Sequence, residues 1–278
     1  MKKIFILTMS LFLILGCGRG NSSDRVEEHI KKNLGNNPTK QQIEELLISG
    51  QVIYGSRPEE AKKYFEAAAK YDPRGAYALS DYYLEKEDYE NFERWAKQAA
   101  EGGDSRAQFN LGYYYDERNR LEEAKKWYIK AGEQGNVGAM LNLGLIYDIE
   151  NNINEKKKWY LKAAESGNIQ AQYNLGVMFM EKNQNIEAEK YFLNASLEGD
   201  SDAQNNLGIV YKRIGNFKEA EKWLLKSSKQ GNIKAQYNLG ELYEEKLNNK
   251  EKAIYWYEKS FSLGDNDSEK KLIELRGK

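Results

Sequence analysis

A Leu-Gly dipeptide returns every 32 residues in this chain, at Leu111-Gly112, Leu143-Gly144, Leu175-Gly176, Leu207-Gly208 and Leu239-Gly240. A fixed period of this length marks one supersecondary unit copied and stacked, because so short a unit cannot bury its apolar face alone. Sixteen residues after each Leu stands a large aromatic: Trp127, Trp159, Tyr191 and Trp223, with Trp256 one residue late. The same frame reaches back to Leu79 with Trp95 and to Ile48 with Tyr64, giving seven repeats between about residues 37 and 264.

Both halves of a repeat read as helix. In the unit from Asp104 to Gly135, Ala107, Leu111 and Tyr115 fall at intervals of four, and Ala124, Trp127, Tyr128 and Ala131 share one face of a second segment. A glycine inside a helix costs up to about 1 kcal/mol relative to Ala, so Gly112 needs a packing reason, and close approach of the two helices supplies one. Leu111, Tyr115 and Trp127 are expected to fill the space between them.

The stops repeat as well. Each second segment ends in Gly followed by Asn or Asp, as at Gly103-Asp104, Gly135-Asn136, Gly167-Asn168, Gly199-Asp200, Gly231-Asn232 and Gly264-Asp265. Glycine closes a helix in the left-handed conformation, and the Asx side chain then caps the next helix. Within repeats, Asn119, Asn151, Asn183, Gly215 and Asn248 supply the bend from residue types that tolerate positive φ. Pro38 after Asn37 and Pro73 after Asp72 read as cap followed by first turn, Pro58 opens a second helix, and no proline follows Arg74. The frame predicts helix pairs at about 38–71, 73–102, 104–134, 136–166, 168–198, 200–230 and 232–263, with no strands. Ser268, Leu272 and Arg276 continue the frame as a polar closing helix, which a stack of repeats requires at its end.

At the N-terminus, Lys2 and Lys3 precede an apolar run from Ile4 to Leu15 that stops at Gly16-Cys17. The run is far short of the ~20 residues a spanning helix needs and has the layout of a secretory signal. Ile14-Leu15-Gly16-Cys17 resembles the lipobox of bacterial lipoproteins, although Leu15 stands where a small residue is more usual. That resemblance implies removal of residues 1–16 and lipidation of Cys17, the only cysteine of the chain. More than one acyl chain anchors stably, so the mature protein is expected to be membrane-tethered, not embedded. Gly18 in place of Asp after the cysteine favours, by the same resemblance, the outer membrane of a two-membrane cell, facing the periplasm. Residues 17–36 read as a flexible tether, with a short helix around Val26–Lys32, ahead of a repeat domain at 37–278.

The string Ala-x-x-x-Leu-Gly-x-x-Tyr, then Ala-x-x-Trp-Tyr-x-x-Ala, then Gly-Asx, resembles the Sel-one-like branch of the tetratricopeptide superfamily. It is fullest at Ala107 to Tyr115 with Ala124 to Ala131, and at Ala235 to Tyr243 with Ala253 to Tyr257. Residues 76–264 carry it strongly, while 37–75, with Glu60-Ala61 through Tyr71-Asp72-Pro73, look more like an ordinary tetratricopeptide unit. The loop between the two helices is shorter than is usual in the Sel-one-like family, and the paired cysteines of some secreted members are missing. The resemblance implies an all-α fold, a right-handed α-α superhelical solenoid whose first helices line a concave wall.

Charge and composition narrow the function. With 42 Lys+Arg against 43 Asp+Glu there is no basic excess to neutralise a phosphate backbone, so nucleic acid is not an expected partner. The single histidine, His29, lies in the tether, so no His-based triad or metal site is expected, and no metal, cofactor or catalysis. Before each Leu-Gly stands an asparagine: Asn110, Asn142, Asn174, Asn206 and Asn238. Asn donates and accepts at once, which suits an extended peptide backbone, and in some tetratricopeptide proteins the matching position forms such a ladder. The same amides equally suit hydrogen bonds within and between repeats, and both readings are open. Tyr113, Leu145, Val177 and Ile209, three residues further on, either hold apolar side chains of a ligand or pack against neighbouring helices. Asp116, Asp148, Glu181, Glu244 and Glu245 outnumber Lys212 and Arg213 near the far helix ends as a solvated acidic rim. These features point to a membrane-anchored scaffold that binds a protein or peptide in the cell envelope. Two further expectations are an envelope-assembly subunit and an immunity protein that neutralises a secreted toxic effector.

Overall fold

The computed structural model describes residues 22–35 and 37–277, which form sixteen helices and no strand. The signal, Cys17 and the first residues of the tether lie outside the described residues. The chain divides into two compact units, up to Ile146 and from Tyr147. The first holds α1 (Ser22–Asn33), α2 (Lys40–Tyr54), α3 (Pro58–Ala68), α4 (Pro73–Glu85), α5 (Tyr89–Glu101), α6 (Ser105–Asp116) and α7 (Leu121–Glu133), and most of α8 (Val137–Ile149). The second holds α9 (Ile153–Glu165), α10 (Ile169–Glu181), α11 (Asn185–Leu197), α12 (Ser201–Arg213), α13 (Phe217–Lys229), α14 (Ile233–Glu245), α15 (Lys250–Ser262) and α16 (Asn266–Gly277). From α1 to α7 in the first unit and from α9 to α16 in the second, successive helices pack as neighbours, so six helix pairs of the sequence frame are present as packed pairs, and α8 and α9 stand at the bounds expected for the remaining one.

The Leu of every Leu-Gly is fully buried, and Trp127, Trp159 and Trp223 are buried with it. The role of the glycine differs from close backbone approach. A Cβ on Gly112 would stand 2.7 Å from Tyr128, and one on Gly176 would stand 2.6 Å from Phe192. Gly208 faces Leu224 and Gly240 faces Tyr257 in the same way. Each glycine thus leaves a socket for the residue after the frame aromatic. These socket residues are fully buried, whereas Trp256 is only half-buried, which explains its late position: Tyr257 fills the socket.

Turns follow the expected chemistry. Gly103, Gly135, Gly167, Gly199, Gly231 and Gly264 all have positive φ, and so do Asn119, Asn151, Asn183, Gly215 and Asn248. At each repeat junction one Asx residue serves two helices. The Asp104 amide donates to the Ala99 carbonyl at 3.0 Å, closing the helix behind, while its carboxylate accepts from the Arg106 and Ala107 amides ahead. Asn168 and Asp200 do the same with Ala163 and Ala195 behind and Ala171 and Ala203 ahead. Pro38 departs from expectation: α2 begins at Lys40, capped by Thr39 in a capping box with Gln42.

Two contacts that the sequence frame did not announce join one repeat to the next. Tyr115 donates its hydroxyl proton to Glu93 at 2.8 Å, Tyr211 to Glu189 at 2.8 Å, and Tyr243 to Glu221. Gln108 and Gln204 donate to the Ala100 and Ser196 carbonyls at 2.9 and 3.0 Å, satisfying the open end of the preceding helix.

Both ends of the described chain are ordered helix. Residues 22–33, read from the sequence as part of a flexible tether, form α1, which buries Val26 and rests on α2 and α3. Lys63 reaches Glu27 and Ser23 at 2.6 Å each, and His29 Nδ1 lies 2.9 Å from the Tyr64 hydroxyl. At the other end α16 buries Ser268, Leu272 and Leu275; Arg276, placed on that stripe by the frame, instead turns outward to Glu258.

Candidate functional site

In the first unit, Asn142 donates to the Tyr128 hydroxyl at 2.9 Å, and Asn110 hydrogen-bonds Tyr77. Tyr113 and Leu145 stand at 51 % and 45 % exposure, so both face outward rather than into a neighbouring helix. In the second unit, Asn174 accepts from Gln170 at 3.1 Å and hydrogen-bonds the hydroxyl of Tyr160, whose pKa burial pushes up to about 12. Asn206 faces Tyr173 at 3.4 Å and accepts from Asn205 at 3.2 Å, and Asn238 donates to Asn205 at 2.7 Å. All five row asparagines are half-buried, as are Val177 and Ile209. An amide group offers two donor protons and two acceptor lone pairs, so one or two internal bonds leave capacity for a ligand.

Asn205 was not singled out by the repeat frame, yet it organises this region. Two residues before the frame Leu the chain reads Tyr77, Phe109, Leu141, Tyr173, Asn205 and Tyr237. A small polar group thus replaces a bulky one, and it ties Asn206 on α12 to Asn238 on α14. Beside this network lies a cleft of about 460 Å³ lined by Asn205, Asn206, Ile209, Ile233, Lys234, Tyr237, Asn238, Asp265 and Asp267. A second cleft of about 380 Å³ shares Ile209 and Asn238 and continues past Lys212, Arg213, Glu241, Glu245 and Lys246. The rim charges are engaged: Lys212 pairs with Glu241 at 3.1 Å and Glu245 at 3.4 Å, Lys271 with Glu244 at 3.2 Å, and Arg213 donates to the Met180 carbonyl at 3.1 Å. Tyr128 likewise donates to Asp116, and Lys156 to Asp148.

A cleft of different chemistry lies in the first unit, where no candidate had been placed. About 300 Å³ is enclosed by Glu44, Leu47, Gln51 and Tyr54 of α2, Phe65 of α3, Arg74, Tyr77, Ala78 and Asp81 of α4, and Arg106 of α6. Arg74 bonds Glu44 at 2.7 Å and Asp72 at 2.9 Å. Arg106 bonds Asp104 at 3.0 Å, and its guanidinium lies 4.2 Å from the centre of the Tyr77 ring. Burial pushes the Asp81 carboxyl up to about 6, with the Tyr77 hydrogen bond and the Arg106 charge acting against it and the Glu85 and Asp104 charges adding to it. The signal was present in the sequence as a break in pattern. Two residues after the frame Leu the chain reads Asp81, Tyr113, Leu145, Val177, Ile209 and Glu241.

Known proteins sharpen the assignment. The Sel1 repeat model matches residues 105–136, 169–200 and 233–265, and tetratricopeptide repeat models match 53–105, 137–166 and 201–228. None of the curated proteins matches the sequence. Among solved structures, a protective antigen of uropathogenic Escherichia coli with an SLR fold is 24 % identical, with a TM-score of 0.53 over 91 % of this chain and 67 % of its own. A Sel1 repeat protein from Oxalobacter formigenes is 25 % identical, with a TM-score of 0.50 over 80 % of this chain and 99 % of its own. YrrB, described as a tetratricopeptide repeat protein with an unusual peptide-binding site, is 27 % identical, with a TM-score of 0.51 over 60 % of this chain and 90 % of its own. From α6 onward the two kinds of repeat model alternate unit by unit, and the chain belongs to the Sel1-like and tetratricopeptide repeat proteins, a family of scaffolds for protein and peptide partners.

Proposed function

We propose that this protein holds an extended segment of a partner protein against the first-helix face of its second unit, and that it does so in the cell envelope. The observation that carries this reading is the pair of clefts meeting at Ile209 and Asn238, where a network of three asparagine amides adjoins a half-buried apolar side chain. Amides satisfy a peptide backbone whatever its sequence, and Ile209 offers contact for one apolar side chain. The likeness to YrrB supports the peptide reading. The lipobox-like Ile14-Leu15-Gly16-Cys17 supports a lipid anchor on Cys17, and Gly18 supports an outer-membrane position facing the periplasm. Among the described residues no helix is long and apolar enough to cross a membrane.

The test uses the full chain with its lipid. Proteins crosslinked to it in membranes are identified, and capture is compared with the Asn206→Ala/Ile209→Ala/Asn238→Ala variant. The expected result is loss of one captured protein with little change in melting temperature. A fall in melting temperature with capture unchanged would assign these residues to the fold alone. Separately, Cys17→Ser is expected to abolish fatty-acid labelling and release the protein from the membrane fraction or leave its precursor, and persistent labelling would refute the anchor.

A further inference from the structure

We propose that the cleft between α2, α4 and α6 is a receptor for one cationic side chain, lysine or arginine, of a bound protein segment, with the incoming charge set against Asp81. The cleft has two cations and both are already answered, Arg74 by Glu44 and Asp72, and Arg106 by Asp104. Asp81 forms no ion pair among the described residues, and its only favourable partners are the Tyr77 hydrogen bond and the charge of Arg106, which is already paired with Asp104. A carboxylate held partly out of bulk water with no ion-pair partner of its own is incompletely stabilised, which its raised pKa also reports. An incoming ammonium or guanidinium repairs that deficit. An anionic ligand meets the reverse situation, since Glu44 and Asp81 oppose it while both arginines are occupied.

The walls suit the rest of such a side chain. Leu47 and Ala78 are apolar, and the Tyr54 and Tyr77 rings line the same cleft as groups able to attract a cation, as Tyr77 does with Arg106 at 4.2 Å. A volume of about 300 Å³ lies at the lower end of ligand pockets, the scale of one long side chain rather than of a cofactor. The neighbouring charges confirm the sign: Tyr54 donates to Glu85 at 2.7 Å, placing a third carboxylate behind that ring. This site is separate from the asparagine clefts and does not depend on them.

The probes are the blocked pentapeptide Ac-Ala-Ala-Lys-Ala-Ala-amide and its norleucine counterpart, which keeps the stem and removes the charge. Each is titrated into the full-length protein with its aspartate carboxyl carbons labelled, and the Asp81 signal is followed by NMR. The lysine peptide is expected to shift that signal saturably, to bind at least tenfold more tightly than the norleucine peptide, and to lower the apparent pKa of Asp81. Asp81→Asn is expected to erase the preference, whereas Asn206→Ala/Asn238→Ala leaves it intact, so failure here and failure of the asparagine site are told apart. Equal binding of both peptides, no saturable binding, or a lysine preference that survives Asp81→Asn overturns the proposal. Should Asp81→Asn not fold, the pKa of Asp81 in the wild type decides: no change on adding the lysine peptide is equally fatal.

Discussion

Asp81 and Ile209 occupy the same place in the repeat, two residues after the frame leucine, yet one lines a cleft of paired charges and the other a cleft of neutral amides. Behind both, the supporting structure is the same: Leu79 and Leu207 are fully buried, and a capped, tightly turned second helix follows each. The repeat therefore fixes where a surface side chain stands and leaves its chemistry free. The reason is geometric. Frame positions that touch the neighbouring helix must satisfy a packing constraint, whereas those facing outward must satisfy only solubility or a ligand.

The comparison breaks first if the shared core is not shared. Leu79→Ala in the first unit and Leu175→Ala in the second each empty a fully buried site, and each is expected to cost ~2–5 kcal/mol in denaturant unfolding. A loss under 1 kcal/mol in either would mean that the repeats do not rest on one core. Next in size is the socket. Gly176→Ala drives a methyl against the Phe192 ring, with an overpacking penalty of ~1–3 kcal/mol that outweighs the gain of up to about 1 kcal/mol in helix propensity. A more stable Gly176→Ala protein would return the glycine to a backbone role.

The difference between the two surfaces is sharpened by pH. The folded-state pKa of Asp81 is raised from 3.8 to about 6, so between these values the folded protein holds a proton that the unfolded chain has released. Its penalty is absent below pH 3.8, grows as pH rises through that window, and is complete above 6. Asp81→Asn is therefore expected to stabilise the protein by about 1–2 kcal/mol at pH 7, after allowing for solvent screening at a partly open group, and to do nothing at pH 3.5. Ile209→Asn should show no such pH dependence. The smallest effect concerns α1. Burial lowers the His29 pKa, helped by Lys32 and opposed by Glu45, so its neutral form belongs to the docked helix. That contribution is whole above pH 6.5 and fades as pH falls below it, and hydrogen exchange of α1 amides is expected to quicken from pH 7 to 5 while α4 amides hold. Equal change in both helices would show that His29 does not set the docking.

Much of this was legible in the linear sequence because local chemistry repeats. Positive-φ positions took Gly or Asn at every turn but that of Glu87, most caps took Asx, with Thr39, Arg57, Arg120 and Gln184 as departures, and the 32-residue frame located the helix pairs from the second onward. The asparagine row was legible as a row, but its partners were not. Tyr128 and Tyr160 are hydrogen-bonded by asparagines in the following repeat, and Tyr173 by Asn206, distances along the chain that no local pattern encodes. Helix α1 was half seen, since a lone Val26 gives little periodic signal although it lies fully buried.

The sequence by itself thus determined the class of fold, the approximate number of repeats, the chemistry of most turns and the burial of the Leu-Gly leucines, because each rests on residues within a few positions of one another or on a regular period. The frame positions Ile48, Trp95 and Tyr191 are only half-buried. Only the tertiary structure decided which side chain fills the glycine socket, that Gln108 and Gln204 close the helix of the repeat before them, that Asn205 links Asn206 to Asn238, and that Asp81 lines one cleft with two arginines already paired elsewhere. These depend on which atoms meet across helices whose residues are far apart in the chain, and such meetings are set by packing geometry that a one-dimensional period does not carry.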